Sequence, residues 1–290
     1  MVAIAEVMAG RVDAHPLELG ERELALEYLA KESRANLFLF DLVARLGRRA
    51  GAGEIRPEIV AAWRHGEIIG VAGLRPSVVL DAAIEADAID AFLPYLASLG
   101  VGLVKSEVHV VDRFWSMLPG RRRRQVLVDR IETAYAVRIG QFSPRAPGPD
   151  ETIRPATRAD LDPLVVAARE SLREEQRPDP FAGDAKSFRR WVRSRVDRAR
   201  VVETGGRVGF AAYADVRRPE GWLLQGVYTW PEMRRRGLAT AGVSKLCGEA
   251  FAAGADHVQL SVVDGNMAGR RLYEGLGFEP FAKLRTILFT

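Results

Sequence analysis

From Tyr228 to Ala239 the chain reads Tyr-Thr-Trp-Pro-Glu-Met-Arg-Arg-Arg-Gly-Leu-Ala, which puts a strand end, a tight turn and a helix start in immediate succession. The first turn of a helix leaves about four N–H groups without intrahelical partners and carries the positive end of the helix dipole. A pyrophosphate satisfies both at once, so the segment is an anion site by construction. Gly237 lets a ligand approach the backbone and Ala239 keeps the next turn uncluttered, while Arg234, Arg235 and Arg236 add charge for phosphates. Taken alone, the same residues serve equally as a charged helix entrance after a proline turn.

Other chemistries find little footing. The four histidines, at 15, 65, 109 and 257, lack paired metal-ligand spacing and Cys247 has no nearby partner, so no metal is expected. There is no G-x-S-x-G elbow, no G-x-x-x-x-G-K-S/T loop and no G-x-G-x-x-G after a strand. Glu203, Asp215 and Glu232 are carboxylates available as a base, each equally plausible as a solvated charge, and the amide of Gln225 cannot serve.

The elements that must position the turn follow from periodicity. Ile153 to Ala156 reads as a short strand, and Thr157 with Asp160 resembles a capping box opening a helix through about Glu175. A basic amphipathic helix is expected over Asp184 to Val196, after a loop at Arg177 to Pro180. Arg200 to Glu203, the Gly205-Gly206 turn and Val208 to Tyr213 form a hairpin pattern, and Trp222 to Thr229 the next strand. Beyond Gly237, the apolar residues Val243, Leu246, Cys247, Ala250 and Phe251 make one helix face, closed by Gly254. His257 to Val263 alternates as a strand, Asn266 is a good N-cap for a helix through Leu276, Gly277 stops it, and Phe278 to Phe289 supplies the last strands.

The N-terminal half has a related but weaker order. Helical patterns cover Glu21 to Lys31 and Arg34 to Leu46, and a hairpin pairs Ile59–Trp63 with Ile68–Leu74 around His65-Gly66. A helix near Asp87 to Ser98, a strand at Gly102 to Val104, a helical stretch at Asp112 to Leu118 and strands from Gln125 to Arg138 follow. This order suggests a degenerate repeat of the C-terminal half. Where its corresponding helix would begin, Glu85, Asp87 and Asp90 place carboxylates that oppose an anion. Between the halves, Ser143 to Glu151 carries three prolines and a glycine and reads as a linker.

At 290 residues, with 48% hydrophobic and 28% charged residues, the chain has material for two folded domains. No apolar run approaches the roughly 20 residues that span a bilayer, and the stretch from Met1 to Pro16 has no basic leader, so a cytoplasmic protein without membrane contact is expected. The single cysteine excludes an internal disulfide. A net charge of +4 invites a nucleic-acid reading, but the arginines are dispersed and only five of 42 basic residues are lysine. The densest run, Arg121 to Arg124, follows a Pro-Gly turn without interleaved aromatics and reads as a solvated strand entrance, so no nucleic acid is expected.

On these motifs the C-terminal half resembles the GNAT acetyltransferase superfamily. Its pyrophosphate turn, Q/R-x-x-G-x-G/A, is matched by Arg234, Gly237 and Ala239. The closing block from Asn266 to Phe278 is similar to the family's N-x-x-A-x-x-x-Y-x-x-x-G-F, with glycine at 269 where the alanine usually stands. The resemblance runs from about Ile153 to Phe289, and its GVYT-x-PE strand is most similar to the glycine N-acyltransferase branch. It implies an α/β (α+β) protein of two GNAT-like domains, each a mixed, mostly antiparallel sheet flanked by helices. The expected division is 1–142 without a cofactor motif, a linker at 143–151, and a catalytic domain at 152–290.

The resemblance further implies acetyl-CoA as co-substrate and a small-molecule or peptide amine as acceptor. The backbone of Val227, Tyr228 and Thr229 would hold the pantetheine arm and the thioester carbonyl. Arg234, Arg235, Arg236, Gly237, Leu238, Ala239 and Thr240 would hold the pyrophosphate, and Asn266 would anchor the arm. Tyr273 is the expected catalytic residue: a phenol with an ordinary pKa of about 10 is protonated at neutral pH and can donate to the departing thiolate. Its alternative role is packing beside Leu272 and Leu276. The competing functional class is a catalytically silent acyl-CoA-binding regulatory module, and a transferase with a larger acyl donor is a third reading. Exposed edges of split sheets would permit a homodimer.

Overall fold

The computed structural model describes residues 10–51, 54–75, 77–97 and 102–290. The N-terminal stretch before Gly10, on which the absence of a leader was read, and Ser98, the expected end of a helix, lie outside the described residues. The chain folds as two compact units interleaved in sequence: 1–49, 55–131 and 284–290 in the first, 50–54 and 132–283 in the second.

In the first unit, β1 (Asp13–Pro16), α1 (Arg22–Ala30) and α2 (Leu37–Ala44) precede β2 (Glu58–Arg64), β3 (Glu67–Arg75) and β4 (Val79–Leu80). Next come α3 (Ala86–Ala97), β5 (Gly102–Glu107), α4 (Val108–Met117) and β6 (Val126–Val137). The second unit repeats this order: β7 (Glu151–Pro155), α5 (Leu161–Glu174), α6 (Ala185–Arg193), β8 (Ala199–Thr204), β9 (Arg207–Arg218), β10 (Gly221–Thr229), α7 (Leu238–Ala252), β11 (Val258–Val263), α8 (Met267–Gly275) and β12 (Glu279–Phe289). The repeat suspected from the pattern is thus an element-by-element repeat.

The last strand of each repeat serves the other unit. Within the first unit, Leu284–Phe289 of β12 pairs antiparallel with β5; within the second, Glu132–Val137 of β6 pairs antiparallel with β11. The units therefore change over inside two long strands, whereas the sequence points to the proline-rich segment 143–151 as the boundary. Proline and glycine mark where pairing stops locally, and an exchange of paired strands leaves no such mark.

Alternation builds both cores. In β2, Ile59 and Ala61 face α1 and α2 with Leu29, Leu39 and Leu42, while Val60 and Ala62 face Phe92 and Phe114 of α3 and α4. In the second unit, Val201, Ala211 and Tyr213 meet Leu164 of α5 and Phe188 and Val192 of α6, and Val202, Phe210 and Ala212 meet Leu246 and Ala250 of α7. Gly242 makes the α7 approach close: a Cβ there would stand 2.3 Å from Phe210 Cε1.

Most local expectations match the observed elements, with informative exceptions. The Thr157/Asp160 capping box is present, but it opens a 3-10 turn, Arg158–Asp160, ahead of α5. Arg154 holds Asp160 at 2.8 and 2.9 Å and draws that carboxyl down to about 2. The helix expected from Asp112 begins at Val108, and Phe278 to Phe289 yields one strand. The short strands β1 and β4 carry no alternation long enough to read. No helix among the described residues is long and apolar enough to cross a membrane.

Candidate active site

Strands β10 and β11 run parallel and pair only at Trp222 with Val258 and Leu223 with Gln259. Beyond that point β10 continues to Thr229 and β11 to Val263 without pairing among the described residues, so the sheet splits into a V. The other edge of β10 stays on β9 through Thr229–Phe210. That ladder carries a bulge: Gln225 faces Tyr213 and Tyr228 faces Ala211, with Gly226 at φ +58° between them. The left-handed glycine interrupts the ladder with β9, and on the side away from β9 the strand from Val227 to Thr229 has no strand partner among the described residues, the Thr229 C=O being taken instead by a side chain of the following turn.

The end of β10 leads into the anion turn. Pro231–Met233 forms a 3-10 turn, Arg235 is left-handed at φ +61°, and Gly237 caps α7 at φ +91°. No side chain caps this helix, and Gly237 C=O already accepts the N–H of Ala241 at 3.0 Å. The first-turn amides of Leu238, Ala239 and Thr240 are consequently free of helical partners. A Cβ on Gly237 would meet nothing within 4 Å, so the turn faces open space.

The three arginines divide their tasks. Arg234 folds back: its Nε donates to Thr229 C=O at 3.0 Å, its guanidinium pairs with Glu174 of α5, and it lies 5.8 Å from the Tyr228 ring. Arg236 approaches Met233 Sδ at 3.6 Å. Arg234 thus staples the turn to β10 and α5, and the exposed Arg235 has no carboxylate partner among the described residues. Tyr228 is buried, stacked edge-on against Trp230 at 5.3 Å.

Asn266 caps α8, its Oδ1 accepting the Gly269 N–H at 2.9 Å. Glycine at 269 has a local cause, because a Cβ there would stand 3.0 Å from Asn266 Nδ2. Tyr273 of α8 is buried, packed edge-on against Phe278 at 5.7 Å. Burial raises its phenol above the ordinary 10 and, likewise, raises the neighbouring Cys247 thiol. At neutral pH both groups are protonated.

The three carboxylates named as base candidates are all ion-paired: Glu203 with Arg154 at 3.0 Å, Glu232 with Arg207 at 3.1 Å, and Asp215 with Arg195. The last pair belongs to a cluster that sequence reasoning missed. Arg195 is bound through Nε to Asp215 Oδ1 at 3.0 Å and lies over the Tyr213 ring at 4.2 Å and Trp191 at 4.7 Å. The Tyr213 hydroxyl is buried without a hydrogen-bond partner, its pKa pushed up to about 12 by burial. Its ring flanks the bulge, 3.0 Å from where a Cβ of Gly226 would be. Arg195 follows α6 while Tyr213 and Asp215 lie on β9, about twenty residues further on, so only the packing of α6 and its following turn on the sheet brings them together.

In the first unit the corresponding opening is stitched shut. Val78 N–H donates to Leu103 C=O at 2.8 Å, Lys105 N–H to Val78 C=O at 2.9 Å, and Ser106 Oγ to Leu80 C=O at 2.6 Å. At the head of α3, Arg64 binds Glu85 and Asp87, each at 2.7 Å.

The acetyltransferase (GNAT) family matches residues 165–278, and this part of the chain is a GNAT-family domain. Three solved structures share the fold over nearly the whole chain. A Drosophila protein is 12% identical with TM-score 0.71, covering 97% of this chain and 99% of its own. A GCN5-related N-acetyltransferase from Sphaerobacter thermophilus is 16% identical with TM-score 0.60, covering 96% and 95%. A tandem GNAT protein from the clavulanic acid biosynthesis pathway is 14% identical with TM-score 0.55, covering 96% and 98%. With the repeated element order, this makes the chain two GNAT-like domains. No curated protein sequence matches it.

Proposed function

We propose that the second unit binds acetyl-CoA and transfers its acetyl group to a primary amine of a small molecule or peptide by direct attack in a ternary complex. The observation that carries this reading is the continuity of the V between β10 and β11 with the uncapped first turn of α7. The backbone of Val227, Tyr228 and Thr229 offers a strand edge to the pantetheine arm, and the amides of Leu238, Ala239 and Thr240 offer donors to the pyrophosphate. Arg235 is placed to add charge, and Arg234 and Arg236 hold the turn.

In the reaction, the neutral amine forms a bond to the acetyl carbon, the C–S bond breaks, and the electron pair leaves on sulfur as a thiolate. The amine gives up one proton and the thiolate takes one. Burial of Tyr273 supports a particular form of its role. A phenol raised above 10 does not readily surrender its proton to a thiolate whose parent pKa is about 8.5, so it acts as a hydrogen-bond donor to the leaving sulfur.

A second reading, a catalytically silent acyl-CoA-binding module, draws on one observation: each of the three candidate bases is already held by an arginine. Calorimetric titration with acetyl-CoA and CoA, followed by thiol release in the presence of an amine panel, separates the readings. Binding that Gly237→Glu abolishes, with amine-dependent thiol release, supports the transferase. Binding without release across the panel favours the silent module, and absence of binding overturns both.

A further inference from the structure

An amine that attacks a thioester must shed a proton, and the β10 residue that precedes the bulge cannot take it, because Gln225 is an amide. Gln225 lies opposite Tyr213, which packs with α5 and α6, so its side chain is on the face of the sheet away from α7 and α8. The parallel register of Trp222 with Val258 and Leu223 with Gln259, counted two residues on, puts Ser261 of β11 level with Gln225 across the V. Alternation places both on one face, since Val258, Leu260 and Val262 belong to the core under α7 and α8 and Ser261 points the other way. The exposed Gln225 and Gly226 and the half-buried Ser261 therefore border the same side of the V, next to the backbone of Val227.

Ser261 is joined to a buried carboxylate. Its Oγ donates to Glu132 Oε2 at 2.8 Å, and Glu132 is only 2% exposed. Glu132 is carried by β6, the last strand of the first repeat, which pairs with β11 in unbroken register from Val258–Val137 to Val263–Glu132. The residue directly opposite Ser261 is Ala134, so the hydroxyl reaches Glu132 along the diagonal of the same face. A hydroxyl that donates to a carboxylate keeps its lone pairs, so Ser261 can accept an N–H from the cleft while passing its own proton on.

We infer that Ser261 and Glu132 form the proton relay for the acceptor amine. This rests on the acetyl-transfer reading and names the base for it. As the nitrogen bonds to the acetyl carbon and the C–S electron pair leaves on sulfur, the N–H proton passes to Ser261 Oγ and the Oγ–H proton to the Glu132 carboxylate. Serine ends as it began, and glutamic acid returns its proton to water by the same path, balancing the proton that the thiolate takes up. Ser261 is the catalytic residue, and Glu132 acts through it. The exchange of strands thereby gains a chemical role, with a strand of the first repeat taking part in the reaction of the second unit.

The test is steady-state kinetics and calorimetry on the full chain with acetyl-CoA, for Glu132→Gln, Ser261→Ala and the double variant. The acceptors are the best primary alkyl amine of the panel and its β-fluorinated analogue. Glutamine keeps the shape and an acceptor oxygen for Ser261 but cannot take a proton. Each single variant should lower kcat for the alkyl amine about 100-fold, with acetyl-CoA Kd and the urea midpoint unchanged. The double variant should be no slower than either single one, because both residues serve one transfer. For the fluorinated amine, which surrenders its proton more readily, the loss should shrink to about tenfold. Undiminished turnover in Glu132→Gln, or an equal loss for the two amines, overturns the relay while leaving acetyl transfer intact. Weakened acetyl-CoA binding together with a lowered midpoint makes the pair structural and also overturns it. Should Glu132→Gln not fold, the half-buried Ser261→Ala carries the same comparison. If the wild type binds acetyl-CoA but releases no thiol with any amine, the transfer reading itself falls and takes this one with it.

Discussion

Gly237→Ala separates the turn's folding role from its binding role. The residue sits at φ +91° and ψ −8°, where an L side chain costs about 1–2 kcal/mol, and its Cβ would touch nothing within 4 Å. Folding should therefore lose about 1–2 kcal/mol from backbone strain with no packing contribution. In the loaded site, the methyl occupies space the pyrophosphate needs to reach the first-turn amides. Loss of one charge-assisted hydrogen bond, about 1.5–3 kcal/mol, corresponds to a roughly 10- to 100-fold rise in Kd. Gly237→Asn is the companion, because asparagine tolerates the left-handed region better yet projects further. Urea unfolding should rank the proteins Gly, Asn, Ala from most to least stable, whereas acetyl-CoA calorimetry should rank them Gly, Ala, Asn from tightest to weakest. If affinity simply follows stability through the series, the turn shapes the helix entrance and the phosphates bind elsewhere.

Two further substitutions probe groups whose environments are unusual. Tyr273→Phe should lower turnover at least tenfold, with acetyl-CoA affinity and the unfolding midpoint little changed; undiminished turnover in steady-state assays would reduce Tyr273 to a packing partner of Phe278. In the first unit, Asp81 is fully buried, accepting from Val71 N–H at 2.7 Å, Ala83 N–H at 3.0 Å and the Tyr28 hydroxyl at 3.2 Å. Burial outweighs these bonds and moves its carboxyl from 3.8 up to about 7. A raised carboxyl binds its proton more tightly when folded, so its contribution is complete below about pH 4 and is lost as pH climbs through 7. At about 1.36 kcal/mol per pKa unit the loss is about 4 kcal/mol. Urea unfolding between pH 4.5 and 7.5 should show that slope, and Asp81→Asn should flatten it; an unchanged slope in the variant would assign the titration to another group.

What was legible in the sequence was local. Asn266 caps α8 because its Oδ1 reaches an amide three residues on, and Gly237 takes the left-handed cap because the chain must turn sharply between β10 and α7. Such features lie within a few consecutive residues and carry their own chemistry. The hidden features depend on partners supplied by topology. Arg234 reads as a phosphate ligand from its neighbours, yet Glu174 and Thr229 engage it once α5 lies near β10. Arg195, Asp215 and Tyr213 look like isolated residues until register sets Tyr213 beside the bulge at Gly226 and the packing of α6 on the sheet brings Arg195 over it. The change of units inside β6 and β12 escapes for the same reason, since a strand's alternation shows that it pairs but not with which strand.

The two repeats show how one element order supports different outcomes. After β4 and after β10 the chain makes the same sequence of helix, strand, helix and strand, and the parallel neighbours start side by side in both. In the first unit, bonds from Val78, Lys105 and Ser106 satisfy the inner edges, and Arg64 neutralises the carboxylates at the head of α3. In the second, β10 pairs with β11 only at Trp222 and Leu223, and on that side Val227–Thr229 has no strand partner among the described residues, with the Thr229 C=O taken by Arg234. An unpaired polar group shut away from water costs about 1–3 kcal/mol, so an open edge persists only where solvent or a ligand reaches it. The first unit meets that requirement with its own chain at Val78, Lys105 and Ser106, whereas the second keeps, among the described residues, a strand edge without a strand partner. The difference turns on a few residues at the divergence point, which is where substitutions in either repeat would decide between a sealed fold and a binding cleft.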